Sequence, residues 1–207
     1  MKRIKPNSYY ASAHTHNGIT YYRFEYYKYT SNDGFSFDSY IISPDDIYFE
    51  DASWHGRVAV EQESQIPISA ELYNRWHNLI TETRERIVLI GKNSCRPLQE
   101  KPRVGDYLFY HYTKDEEDEY DYDFSYFYKI VDVGEYFYKV EDIIDVDIHN
   151  FGFNHKIRIK RDDYEIERVL NSQLVNESII NDVAQITQGL IVKLTNEIAE
   201  VIKSKTQ

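Results

Sequence analysis

The 207-residue chain has the length of one large domain or two small ones, and its 42% hydrophobic and 29% charged residues exclude disorder and collagen-like structure. Its 24 basic and 35 acidic residues give a net charge of −11, a sign that argues against direct binding to nucleic acid or to an anionic membrane. No apolar run approaches the roughly 20 residues of a membrane helix. The single cysteine, Cys95, cannot close an intramolecular disulfide, which favours a reducing, cytoplasmic location.

Residues 1–92 have the pattern of an antiparallel sheet followed by a helix. Aromatic and charged side chains alternate over residues 19–30, and a second strand is predicted at 35–42 after a turn. A short strand is expected at 57–61. The proline in residues 65–68 is expected to end the sheet pattern.

Ser69 is a suitable N-cap for a helix that extends to about Arg86. Apolar side chains recur along that helix at intervals of three and four residues, which places on one face Leu72, Trp76, Leu79, Ile80 and Thr83. The polar segment that follows contains two prolines and is predicted to be a linker at residues 93–103.

Residues 104–162 form a second region that is rich in predicted strands, acidic residues and tyrosine. Five short strands in about 55 residues suggest a small twisted sheet or an SH3-like barrel. These strands are expected at residues 104–110, 124–133, 135–141, 143–148 and 156–160.

Residues 163–207 are predicted to be helical. Asp162 or Asp163 can cap a first helix, and a longer one begins near Asn176. Its apolar stripe comprises Val183, Ile186, Leu190, Leu194, Ile198 and Val201. The stripe predicts a helix packed on a sheet, with a homodimer formed through this helix as the alternative. No internal repeat is visible in the sequence, and the predicted fold class is α+β.

The negative charge is concentrated in residues 106–147. This stretch holds 14 acidic and three basic residues, a balance of −11, so the rest of the chain contains 21 of each and is neutral. Residues 115–123 alone place seven carboxylates in nine positions, and the 106–147 stretch also holds 13 aromatic residues. A solvated loop would tolerate this repulsion through screening by salt. In a docking surface, the same negative charge would attract a basic partner.

The concentration of charge beside tyrosines favours the docking surface. We therefore expect a non-enzymatic protein-binding module that covers the basic, nucleic-acid-binding surface of a nuclease or another defence effector. Nuclease immunity proteins and phage-encoded inhibitors act in this mode. The carboxylates would steer association and the tyrosines would provide the anchors. The predicted partner-binding residues are Glu116, Glu117, Asp118, Glu119, Tyr120, Asp121, Tyr122, Asp123 and Tyr126.

An enzyme and an assembly subunit are the alternatives. His14-Thr15-His16 could place two imidazoles on one metal, but the other histidines are scattered singly without a metal-ligand spacing. We therefore predict no metal, no cofactor and no catalytic residue. An enzyme would need a site assembled from dispersed His, Asp and Tyr side chains, whereas an assembly subunit would self-associate through Leu190 and Leu194.

Overall fold

The computed structural model of this chain describes residues 2–113, 123–135, 137–147, 150–153 and 169–206, and its architecture confirms the α+β class. The first half contains strands β1 (Ser8–His16), β2 (Ile19–Thr30), β3 (Gly34–Ile42), β4 (Asp46–His55) and β5 (Ile66–Ile68) and helix α1 (Ala70–Ser94). The second half contains β6 (Tyr107–Tyr112), β7 (Phe124–Gly134), β8 (Phe137–Val146), β9 (Asn150–Phe153) and β10 (Gln173–Val175) and helix α2 (Glu177–Thr206).

The chain divides into two compact units. The first unit comprises Met1–Thr81 together with Gly189–Gln207, and the second comprises Glu82–Gln188. The first unit is therefore discontinuous in sequence, whereas the second is one uninterrupted segment.

The sheet of the first unit has the strand order β5-β1-β2-β3-β4, and every described pair is antiparallel. One face packs on the beginning of α1, where Ser69 accepts a hydrogen bond from the Leu72 amide at 3.1 Å and caps the helix as predicted. Phe24 and Trp76 are fully buried between sheet and helix, with ring centroids 5.4 Å apart.

A charged contact links α1 to the part of α2 that belongs to the first unit. The Trp76 indole Nε1 donates a hydrogen bond of 2.8 Å to Glu197 Oε2, and Arg75 lies 2.5 Å from the same oxygen. Partial burial raises the pKa of Glu197, but the hydrogen bonds from Trp76 and Arg75 outweigh it and hold this pKa below its ordinary value. The contact thus favours the ionised carboxylate.

The other face of this sheet carries a small second core and a buried carboxyl. Apolar side chains from the N-terminal segment, β1, β2, β3 and the β4–β5 connection form a buried cluster of Ile4, Tyr10, Tyr27, Phe37 and Ala59. Beside it, Glu25 is only 2% exposed, accepts a hydrogen bond of 2.7 Å from the Gln65 amide and lies 3.3 Å from Arg23. Burial raises the pKa of Glu25 in spite of these two partners.

The sheet of the second unit has the order β10-β6-β7-β8-β9, again antiparallel in each described pair. Among the described strands this order is linear. Phe109 packs against Phe127 at a centroid distance of 4.8 Å. The predicted linker at 93–103 lies within this unit, where Arg96 pairs with Leu174 of β10. The domain limits drawn from the sequence stay predictions.

The two units share one connectivity although the sequence shows no repeat. Each sheet has a four-strand meander and a three-residue strand that returns to pair with the first strand of the meander, and a long helix follows that strand in the chain. The helices begin directly after Ser69 and Asn176. The registers align Ala11, Phe24, Tyr40 and Phe49 across the first sheet, and Phe109, Phe127, Ile144 and Phe153 across the second. The two units are therefore alike in how their strands are connected and paired.

Several predicted strands differ from those observed. Residues 57–61 form only an isolated bridge, between Val60 and Arg3, whereas residues 66–68 form β5. The two strands expected at 135–141 and 143–148 are one continuous strand, β8, because no turn interrupts it. The predicted strand at 156–160 and the helix predicted to begin at Asp162 or Asp163 fall outside the described residues.

Both long helices follow their predicted stripes. Val183, Leu190, Leu194 and Ile198 are buried in α2, as the spacing indicates. Helix α1 continues to Ser94, well past the predicted end at Arg86. Neither described helix is long and apolar enough to cross a lipid bilayer.

Candidate functional site

The acidic run connects two strands whose ends are paired. Tyr112, at the end of β6, is opposite Phe124, at the start of β7, and their rings stack with centroids 4.7 Å apart and planes 16° apart. Of the predicted partner-binding residues, Asp123 and Tyr126 lie in the described part of the chain. Those outside the described residues are Glu116, Glu117, Asp118, Glu119, Tyr120, Asp121 and Tyr122.

A row of five rings begins at this pair and continues along the sheet. We call it the aromatic ladder, and it consists of Tyr110, Tyr112, Phe124, Tyr126 and Tyr128. Successive ring centroids along β7 are 5.3 Å apart from Phe124 to Tyr126 and 5.6 Å apart from Tyr126 to Tyr128. Aromatic pairs at such distances add stabilisation beyond the area that they bury. The ladder is therefore a connected surface of mutually supported rings.

Strand alternation and register explain why these rings share a face. Residues 124, 126 and 128 are spaced by two along β7, and Tyr110 of β6 lies opposite Tyr126. Phe124 and Tyr128 are buried, whereas Tyr110, Tyr112 and Tyr126 are half-buried. Three tyrosines therefore keep part of their surface accessible while their rings are held by neighbours.

The carboxylates near the ladder are divided between interior and surface. Asp145 and Asp142, opposite Tyr126 and Tyr128, are buried at 7% and 2% exposure. The other described carboxylates of the acidic stretch are exposed or half-buried: Asp106, Asp123, Asp132, Glu135, Glu141 and Asp147. The described bases of this stretch are Lys129 and Lys139. The surface charge of this region is therefore negative also outside the 115–123 run.

His111 belongs to the same acidic stretch and lies on the opposite face of β6 from Tyr110 and Tyr112. Its Nδ1 lies 2.8 Å from Ser125 Oγ, and its ring stacks on Phe109. Burial lowers the pKa of His111, the Lys92 cation lowers it further, and Asp123 acts in the opposite direction. The net shift is downward, so the environment of His111 favours the neutral imidazole.

His14 and His16, the residues of the enzyme alternative, share one face of β1 with ring centroids 6.5 Å apart. Within the described ranges, no group of three or more His, Cys, Asp or Glu side chains is placed to hold a metal ion. The structure thus brings the two imidazoles near each other without a third ligand from the described residues.

Sequence reasoning missed four members of the ladder: Tyr110, Tyr112, Phe124 and Tyr128. Each follows the same two-residue spacing as Tyr126, so the pattern was present in the sequence. The register of β6 against β7 was the missing information, because it alone decides which rings of the two strands become neighbours.

Comparison with known proteins finds no match for this chain among protein-family models, curated proteins or solved structures. The functional argument therefore rests on the geometry and charge of the described residues.

Proposed function

We propose that this protein is a non-enzymatic, acidic binding module that covers the basic, nucleic-acid-binding surface of a partner protein such as a nuclease or another defence effector. The observation that carries the proposal is the stacked Tyr112–Phe124 pair, which anchors both ends of the carboxylate-rich connection beside the aromatic ladder. Charge and anchoring groups are thereby combined at one end of one sheet.

The charges are close to this pair in sequence. Eleven residues, 113–123, join Tyr112 to Phe124, and residues 115–123 within them carry seven carboxylates. Charge at this density accelerates encounter with a positively charged groove and repels acidic surfaces.

The half-buried tyrosines supply anchoring contacts, which charge alone does not provide. A tyrosine ring that is already held by neighbouring rings loses little conformational entropy when a partner covers its accessible part. Tyr110, Tyr112 and Tyr126 meet this condition, since each belongs to the ladder and remains half-buried. They are the anchors that would slow dissociation after electrostatic encounter.

The packing of α2 favours this function over self-assembly through the C-terminal helix. Leu190 and Leu194 are 5% and 0% exposed within a single chain. They would have to leave their intramolecular contacts before they could cover a second copy. These two side chains of the α2 stripe are thus already covered within the single chain.

The test is a charge-neutralised variant compared with a matched control. The variant E116Q/E117Q/D118N/E119Q/D121N/D123N removes six charges and changes the net charge from −11 to −5. The control D45N/E63Q/E82Q/E85Q/D182N/E200Q removes six charges from exposed residues elsewhere and has the same net charge. Any difference between the two therefore reports the location of the charge.

Immobilised wild-type protein is used to capture partners at low ionic strength, and a captured protein is purified for binding kinetics. We expect a nucleic-acid-binding protein whose complex with labelled duplex or single-stranded DNA is displaced by the wild type and by the control. The neutralised variant should associate about 10 to 1000 times more slowly at low salt. Equal association by variant and control, or a partner that binds this chain and DNA simultaneously, would contradict the proposal.

Anchoring is tested separately with Tyr126→Ala. Its dissociation rate from the same partner should rise about tenfold or more while its association rate stays nearly unchanged. Urea unfolding of the variant establishes that the fold persists at the temperature of the binding assay. An unchanged dissociation rate would remove Tyr126 from the proposed interface.

A further inference from the structure

The segment between α1 and β6 belongs to the second unit, and backbone hydrogen bonds hold it at both ends. The backbones of Arg96 and Leu174 exchange two hydrogen bonds, of 2.9 and 2.8 Å. At the other end, Gly105 donates to the Ile130 carbonyl at 2.8 Å, and Ile130 donates to Asp106 at 2.9 Å. Both ends of the segment are thus fixed, and its side chains project from a defined backbone.

A surface pocket of about 360 Å³ lies along this segment. Its apolar lining comes from Pro97, Leu98 and Leu174, and Leu98 also packs on the core of the second unit. Its other lining residues are polar or charged: Arg96, Gln99, Glu100, Lys101, Arg103 and Asp106. The volume is at the lower end of the range typical of small-molecule sites.

The charges in the pocket leave two cations available. Glu100 pairs with the Arg103 guanidinium, and Asp106 accepts a hydrogen bond of 2.7 Å from the Arg103 amide. Among the residues that the structure describes, no carboxylate lies within ion-pair distance of Arg96 or Lys101. Residues 92–103 contain four bases and one acid, a local balance of +3 directly before the most acidic stretch of the chain.

We propose that this pocket binds a small organic anion, in which a carboxylate or phosphate group is joined to a compact apolar group. Arg96 provides a planar pair of donors and Lys101 a compact point charge, and both geometries suit such an anionic group. The apolar group packs on Leu98 and Leu174. This site is independent of the partner-binding surface proposed above.

The test uses phenyl phosphate as the probe and inorganic phosphate as its comparator, followed by two-dimensional NMR of the ¹⁵N-labelled full chain. Phenyl phosphate should cause saturable shifts at the backbone amides of Arg96, Leu98, Lys101 and Leu174. Inorganic phosphate should bind the same amides at least about tenfold more weakly, because it lacks apolar contacts. Equal affinity for the two probes, or shifts without saturation, would overturn the proposal.

Charge substitutions complete the test. R96Q/K101Q should weaken phenyl phosphate binding by at least about tenfold, because it removes both charge-assisted contacts. The control R86Q/K205Q removes two exposed cations elsewhere and should bind like the wild type. K101Q alone provides a milder variant should the double variant prove unstable. Unchanged affinity for phenyl phosphate in R96Q/K101Q would overturn the proposal, and so would unchanged affinity in K101Q when that variant is used. Equal losses of affinity in variant and control would overturn it as well.

Discussion

Gly91→Ala should destabilise the protein, although alanine is normally the better helix former. Gly91 is buried in α1, and a Cβ at this position would lie 2.5, 2.7 and 2.8 Å from three atoms of the Phe109 ring. Phe109 is 3% exposed and packs on Phe127, so its ring has little room to withdraw. The substitution therefore forces overpacking in the core of the second unit.

Two opposing effects set the magnitude. Overpacking of a well-packed core costs about 1–3 kcal/mol, and replacing glycine by alanine within a helix recovers up to about 1 kcal/mol. We expect a net loss of about 1–2 kcal/mol in the free energy of unfolding. For a chain of this length, that corresponds to a decrease in Tm of roughly 2–8 °C.

Gly189→Ala is the matched control, since this glycine also lies inside a long helix. A Cβ at Gly189 would meet no atom within 4 Å. Only the helix propensity then changes, and the free energy of unfolding should rise by about 0.5–1 kcal/mol. The two identical substitutions are thus expected to have opposite signs.

Urea denaturation monitored by circular dichroism, with thermal unfolding alongside, measures both variants. F109L in the Gly91→Ala background tests the mechanism, because the shorter side chain vacates the space that the new methyl group needs. The double variant should show a favourable coupling of at least about 0.5 kcal/mol. If Gly91→Ala is as stabilising as Gly189→Ala, or if F109L shows no coupling, the close approach of Gly91 and Phe109 is refuted.

Three further expectations concern buried and half-buried groups. E197Q should be less stable than the wild type by about 1 kcal/mol above pH 4.5, and the difference should vanish as the pH falls through the lowered pKa of Glu197, as measured by urea unfolding from pH 3 to 7. E25Q should behave in the opposite way. Because the pKa of Glu25 is raised, its ionised form lowers the stability of the folded chain, so E25Q should gain stability relative to the wild type as the pH rises above 4.5. A loss of relative stability that grows with pH would contradict this. Phe24→Ala and Phe127→Ala, at equivalent positions of the two sheets, should each cost about 3–5 kcal/mol by the same assay, and a cost below 1 kcal/mol at either position would disprove its core role.

The helices could be predicted well from the sequence because their apolar side chains repeat with the helical period. The stripe that contains Val183, Leu190 and Leu194 is an example. The predicted end of α1, at about Arg86, was too early. In the structure Gly91 stays helical and buried, where its missing side chain makes room for the Phe109 ring.

The β5 strand was missed because proline normally ends a strand. Pro67 is tolerated here since β5 is only three residues long and pairs with β1 at one end of the sheet of the first unit. Pairings between distant segments, such as Tyr10 with Pro67 or Arg96 with Leu174, leave no mark in local composition.

The candidate site was predictable in its charge but not in its geometry. Counting charges along the sequence already located the excess at residues 106–147, because net charge requires no knowledge of structure. The aromatic ladder depends on the register between β6 and β7, which a single sequence does not specify.

The discontinuity of the first unit bears on how the protein folds during synthesis. Translation delivers the sheet of the first unit before any of the second, yet the second unit, Glu82–Gln188, becomes complete first. Until α2 has left the ribosome, Trp76 lacks the carboxylate of Glu197 that accepts its indole N–H. The unit whose synthesis begins first is therefore the unit whose contacts become available last.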